Sequence, residues 1–185
     1  MHISEGVLSA PVLLAGAVLS LGGLILGLKK IKNEDIPKVA VLSSAFFIAS
    51  LIHVPIGPTS AHLVLNGLLG MLLGWAAFPS IFVALVLQAI VFQFGGFTTL
   101  GVNNFSMAMP GVLSYYVFKR MLHKGKNIAF LGGFLGGALS LLIATIFISV
   151  ALLETEKSFM AVAGTLLVMH LPIAIIEGII TGFVV

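Results

Sequence analysis

Long apolar runs separated by short polar or charged joins set the pattern of this chain. Val7 to Leu28 carries no charge and is long enough to cross about 30 Å of hydrocarbon as a helix. Ser9, Ala10 and Pro11 open it, and the missing proline N–H costs nothing in a first helical turn. Further runs are Val39 to His53, His62 to Trp75 or Phe78, Pro79 to Phe92, Phe105 to Met121, Ile128 to Leu153 and Met160 to the end. Pro55-Ile56-Gly57-Pro58-Thr59-Ser60 reads as a tight turn, and the polar, glycine-rich Gly95 to Asn104 as a loop. The join from Ala76 to Ser80 is short and uncharged, which predicts an antiparallel helix pair. The pattern predicts an all-α integral membrane protein, a bundle of about seven transmembrane helices forming one domain over 1–185.

Charge placement orients the bundle. Eight of the nine Lys and Arg residues lie in two clusters, 29–38 and 119–126. The positive-inside rule puts both in the cytoplasm. With seven spans the clusters follow the first and fifth, so they share a side. The N-terminus is then outside and the C-terminus inside. The 55–61 turn, the 95–104 loop and the 154–158 loop share the outer face with Met1, His2, His53 and His62.

Small residues mark close helix approaches. Gly16, Ser20, Gly23 and Gly27 form one stripe, and Gly132/Gly136 and Gly133/Gly137 are overlapping small-xxx-small pairs. Such faces admit another helix, from the same chain or from a partner.

Composition agrees with the pattern. The 185 residues are 59% hydrophobic and 8% charged, with mean hydropathy +1.22; a soluble domain carries about 25% charge. With no cysteine, thiolate metal sites and disulfides are excluded. No Lys or Arg precedes the first apolar run, unlike a cleavable signal, so Met1-His2 is expected to remain on the mature chain. No basic run is interleaved with aromatics as in a nucleic-acid site. No Gly-x-x-x-x-Gly-Lys-Ser/Thr loop is present, and no nucleophile–base set is visible. The chain reads as a non-enzyme that draws any ATP-derived energy from partners.

The candidate chemistry starts at residues 1 and 2. The Met1 amine and the His2 backbone nitrogen share a five-membered chelate ring, and the His2 nitrogen and Nδ1 a six-membered one. Three nitrogens then lie nearly in a plane, and a second imidazole completes a square. Planar nitrogen ligation suits Ni(II) or Cu(II), Co(II) less strongly, and not Mg(II) or Ca(II). The alternative is that His2 simply belongs to a frayed terminus. His62 opens a helix after a rigid turn and is the leading second imidazole; His53 is an entry ligand or an ordinary interfacial histidine.

Four separated motifs carry a family resemblance: Met1 to Ser9, His53 to Leu63, Phe94 to Asn103 and His170 to Gly178. Together the chain resembles the CbiM/NikM family, the substrate-capture subunits of energy-coupling-factor cobalt and nickel importers. The resemblance implies a seven-helix membrane fold and Ni(II) or Co(II) as cargo. It implies ligation by the Met1 amine, the His2 nitrogens and the His of the Thr-Ser-x-His motif, here His62. It further implies a coupling transmembrane subunit, separate ATP-binding subunits, in many systems a small accessory membrane subunit, and the plasma membrane of a prokaryote. Where the family often has Pro-Gly-Gly-Thr-Ser, this chain has Ile-Gly-Pro-Thr-Ser. Family members usually continue with a short basic tail, so a truncation at Val185 is expected.

Other polar residues have two readings each. Thr59, Ser60, Thr98, Thr99 and Asn103 orient a ligand imidazole or close over the ion; the alternative is an ordinary polar outer surface. Glu5 attracts the cation or caps the first helix. His123 lies in a solvated basic cluster. His170 and Glu177 share a face of the last helix, for function or for a hydrogen bond to a neighbouring helix. A self-sufficient channel or secondary metal transporter is the competing class. Against it, Glu177 is the single intramembrane acid and no internal repeat is apparent. A vitamin-binding relative would want an aromatic cavity, and the chain has one Trp and two Tyr.

Overall fold

The computed structural model describes residues 2–51, 53–56 and 59–185, with the backbone alone for 53–56 and 59–61. Its helices are α1 (Ala10–Leu28), α2 (Ile36–Ala49), α3 (Asn66–Leu73), α4 (Ala77–Phe92), α5 (Leu100–Phe118), α6 (Lys126–Thr155) and α7 (Met160–Val184). Two short strands, β1 (His53–Ile56) and β2 (Thr59–His62), pair antiparallel, with His53 opposite His62 and Ile56 opposite Thr59. The sequence reading of a bare turn between two helices is thus corrected to a hairpin. It consumes the first residues assigned to the third span, so α3 starts at Asn66 rather than at His62.

Four stretches are long and apolar enough to cross a membrane: Ala10–Leu28, Asn66–Phe92, Lys126–Thr155 and Lys157–Val184. The protein is a multi-pass helical membrane protein. The second of these stretches is two helices. α3 runs alongside α5 in the same direction: Asn66 Nδ2 donates to Met107 O at 3.0 Å, and Gly70 meets Gly111 so closely that a Cβ on Gly70 would lie 2.2 Å from the Gly111 carbonyl carbon. α4 runs the opposite way. Just before it, Trp75 Nε1 donates to Tyr116 Oη at 3.1 Å; just after it, Gly95 reaches Asn103. The reversal occurs at Gly74, whose φ of 56° and ψ of −126° a side chain would disfavour. The antiparallel pair expected from the short join is present, three residues earlier than read. α2, at 14 residues, and α3, at 8, are shorter than a full crossing.

The bundle is inverted relative to a soluble protein. Val18, Val117 and Val168 are each about two-thirds exposed, while Asn66, Gln88, Asn104, His170 and Glu177 are fully buried. In lipid, apolar side chains face outward freely, and polar ones gather where other helices satisfy them.

The small-residue stripe of α1 faces this interior. Gly16 abuts Val102, Gly23 abuts Phe78 and Gly27 abuts Trp75 and Pro79, while Ser20 Oγ accepts from Asn104 Nδ2 at 2.8 Å. The stripe is consumed by packing within the chain, and no partner can use it. A Cβ on Gly23 would lie 2.2 Å from the buried Phe78 ring.

α5 begins at Leu100, five residues before the expected start. Asn103 and Asn104 are therefore helical and buried. Their polarity, read as loop character, marks an inward face.

Candidate metal centre

Two separated segments bring the imidazoles of His2 and His62 together. His2 Nδ1 and His62 Nε2 are 3.1 Å apart, both rings are buried, and their centroids lie 4.8 Å apart with planes inclined by 24°.

The N-terminal segment is fixed by the residue after His2. Asn103 Oδ1 accepts from Ile3 N at 3.0 Å, and Asn103 Nδ2 donates to Ile3 O at 3.1 Å. The amide thus grips one residue's backbone at both ends, as a strand would. Thr99 Oγ1 accepts from Asn103 Nδ2 at 3.2 Å and donates to Gly96 O at 3.2 Å, which sets the amide's orientation. The Ile3 side chain is fully buried in the core.

The proton positions follow from a chain of hydrogen bonds. Ser50 Oγ donates to Phe47 O at 2.8 Å, so it accepts from Gln88 Nε2. Gln88 Oε1 then faces His2 Nε2 at 2.7 Å, and an amide oxygen only accepts. His2 Nε2 therefore carries the proton and Nδ1 the lone pair. On the other ring, His62 Nδ1 lies 2.7 Å from Leu63 O, so Nδ1 carries the proton and Nε2 the lone pair. Two lone pairs face each other at 3.1 Å. A cation held between them would take both lone pairs. Two nitrogens about 2.0–2.1 Å from one ion, at a right angle, stand about 2.8–3.0 Å apart. Each ring also donates its remote N–H to a carbonyl-type oxygen, the usual support of a metal-bound histidine. Burial foremost, and the neighbouring His2, hold the His62 pKa well below the ordinary 6.5. This hairpin residue thus stays neutral and able to ligate.

The other sequence candidates fall out differently. Met1 and the side chains of His53, Thr59 and Ser60 lie outside the described residues; of His53, the backbone pairs with His62. Thr98 is exposed and contributes its backbone N–H, which donates to Glu5 Oε1 at 3.2 Å. Glu5 N in turn donates to Gly95 O at 3.0 Å. Glu5 thus ties the N-terminal segment to the turn that precedes α5, instead of capping α1. His123 lies between α5 and α6, away from the pair. His170 Nδ1 donates to Leu166 O, 2.7 Å away on its own helix. Among the described residues, no three His, Asp or Glu side chains converge on one point. Two imidazoles alone do not saturate an ion.

The family model for the CbiM cobalt uptake substrate-specific transmembrane region matches residues 2–185. The chain belongs to the CbiM family. It is 44% identical to a Haemophilus influenzae protein named for metal transport, over 98% of this chain and 89% of that one. It is 33% identical to the cobalt transport protein CbiM of Thermosipho melanesiensis, over 100% and 85%. It is 31% identical to an Archaeoglobus fulgidus protein named as a fused nickel transport protein, NikMN, covering 100% of this chain and 64% of that longer one. A crystal structure described as a transition metal transporter superposes with a TM-score of 0.86 at 30% identity, covering 100% of this chain and 90% of that one.

Gln88 and Ser50 went unnoticed in the sequence. Gln88 is the one amide within the apolar run Pro79 to Phe92, and an isolated polar group inside a span was the available signal.

Proposed function

We propose that this CbiM-family chain is the substrate-capture subunit of an energy-coupling-factor importer for Ni(II) or Co(II). The ion binds at the outer face through the Met1 amine, the His2 backbone nitrogen and Nδ1, and His62 Nε2. The observation that carries this reading is the 3.1 Å approach of His2 Nδ1 to His62 Nε2, with the other nitrogen of each ring hydrogen-bonded to an oxygen on its far side. Four nitrogens in a square favour Ni(II) over Co(II) by the general affinity order. We read His53 as an entry ligand, and Thr59 and Ser60 as residues that orient or close over the bound ion. With both basic clusters in the cytoplasm, Met1 lies outside, on the far side of α1 from the first cluster, and Val185 lies in the cytoplasm of a prokaryotic cell, two crossings after the second. The chain supplies capture, and a coupling transmembrane subunit with ATP-binding subunits, joined in some systems by a small accessory membrane subunit, supplies energy and release.

The test uses purified chain with its native N-terminus. It is expected to bind one Ni(II) or Co(II) per chain. In sealed vesicles the chain alone should bind without accumulating metal, and adding the coupling subunit and ATPases should give ATP-dependent uptake. Accumulation against a gradient by the chain alone would overturn the importer-subunit reading in favour of a secondary transporter.

A further inference from the structure

Glu177 lies in the middle of α7, fully buried and distant in sequence from His62. Its Oε1 accepts from two successive backbone N–H groups, Val64 N and Leu65 N, the latter at 2.7 Å. These are the second and third residues after His62. They form the junction between β2 and α3, where Leu65 takes a left-handed conformation with φ 57° and ψ 17°. A non-glycine residue held there is strained and needs surrounding structure to keep it. Successive N–H groups at such a bend converge into a concavity that suits an anionic oxygen. The N-cap residue of α3, Leu65, makes no side-chain cap bond; Asn66 Oδ1 accepts from Gly67 N at 2.9 Å, and the carboxylate reaches the two amides before that turn from α7. Next in the chain, Asn66 anchors to Met107 O.

The same bend decides where His62 points. Leu63 O, which takes the His62 Nδ1 proton at 2.7 Å, belongs to the peptide whose nitrogen is Val64 N, and Glu177 accepts from that nitrogen. One peptide group is therefore held from both sides: its N–H by Glu177, its carbonyl by His62. Polarising the N–H strengthens the carbonyl as an acceptor. Both effects keep the His62 proton on Nδ1 and the lone pair on Nε2.

We infer that Glu177 is the positioning residue for the second metal ligand: a carboxylate on α7 that, through the Leu63–Val64 peptide, fixes the orientation and tautomer of His62. The inference rests on the metal reading of the His2–His62 pair. Glu177 does not touch the ion. Its role depends on the reach of one oxygen, because Oε1 makes both bonds and Oε2 has no hydrogen-bond partner among the described residues. Glutamine preserves that oxygen without the charge, whereas aspartate preserves the charge and falls one methylene short.

The experiment compares full-length wild type, Glu177→Gln, Glu177→Asp, Glu177→Leu and His62→Ala, with the double variant of the last two. Ni(II) affinity is measured by titration, and the nitrogen count by electron paramagnetic resonance with Cu(II) as probe. Glu177→Gln is expected within about threefold of wild type, and Glu177→Asp and Glu177→Leu about 10–100-fold weaker, the range typical of groups that orient a ligand. The Cu(II) spectra of the weakened variants should lose one nitrogen and match that of His62→Ala. In the His62→Ala background, Glu177→Leu should cost nothing further. If Glu177→Leu does not fold, the Gln and Asp pair decides. Glu177→Gln as damaging as Glu177→Asp, or an additive double variant, would overturn the inference. Wild type that binds no Ni(II), Co(II) or Cu(II) would instead overturn the metal reading on which it rests.

Discussion

The two segments that deliver the imidazoles are held by opposite means. Among the described residues, the N-terminal segment has no helix or strand before α1, and side chains largely hold it: Asn103 on Ile3, Gln88 on His2 and Glu5 on Thr98. The hairpin segment is held largely through its backbone, by the β1–β2 ladder, the Leu63 carbonyl and the Glu177 carboxylate on two amides. The first segment is short and needs contacts from three other elements to become a single conformation. The second is pre-bent, and its strain is offset at one buried point. A site assembled this way brings together groups far apart in the chain, so it forms only when the bundle is closed.

The sharpest way to separate the two segments is to remove donors from each. On the proposed ligand set the N-terminal segment gives three nitrogens and the hairpin one. Adding one residue before Met1, or His2→Ala, is expected to bring Ni(II) binding below detection in a titration, with helix content unchanged. His62→Ala, losing a single donor, is expected to weaken binding about 100–1,000-fold, taking total metal-site energies of about 10–16 kcal/mol spread over four ligands. His53→Ala should cost less than His62→Ala. Equal losses from the extension and from His62→Ala would mean that the hairpin carries more of the ligation than the terminus.

Removing the supports comes next in size. Gln88→Leu deletes the acceptor that holds the His2 proton on Nε2, and a loss of about 10–100-fold in Ni(II) affinity is expected. Asn103→Leu releases both ends of the Ile3 backbone, and the loss should be similar and largely entropic. The two differ in spectrum. Gln88→Leu should alter the imidazole environment of bound Cu(II), whereas Asn103→Leu should leave the bound-state spectrum unchanged and speed release. An unchanged affinity in Gln88→Leu would remove the tautomer argument.

Much of the helical frame was legible. The starts and ends of α1, α4, α6 and α7 lie within three residues of the apolar runs that announced them, because lipid requires unbroken apolar length. The failures have separate causes. In a soluble chain, a polar, glycine-rich stretch such as Gly95 to Asn104 faces water. Here its second half is buried helix, and Asn103 and Asn104 face other segments. The hairpin was hidden because Pro55, Gly57 and Pro58 signal a turn without saying that the flanks pair. That the imidazoles of His2 and His62 meet was readable from chelate chemistry and motif. Gln88 and the capping role of Glu177 were not, since each acts on a residue more than eighty positions away, and no local pattern encodes that.

The smallest expected effect is a pH dependence carried by the hairpin imidazole. Burial, foremost, and the neighbouring His2 lower the His62 pKa well below 6.5 in the folded chain, whereas in the unfolded chain it titrates near the ordinary value of about 6.5. Above that value His62 is neutral in both states and contributes no slope. Below it the unfolded chain binds a proton that the folded chain refuses, so stability falls as pH drops, by at most about 1.4 kcal/mol per pH unit for one group. The slope ends once pH passes below the folded value. Unfolding of the metal-free protein in detergent, followed by loss of helix signal between pH 7 and 5, should show this decline in wild type. It should be shallower in His62→Ala by the share of one proton. Metal added in excess should steepen the dependence, because protonation then also competes with the ion for Nε2. A His62→Ala profile parallel to wild type would mean that the hairpin imidazole is already solvated, and that the contrast between a side-chain-held and a backbone-held segment does not extend to their electrostatics.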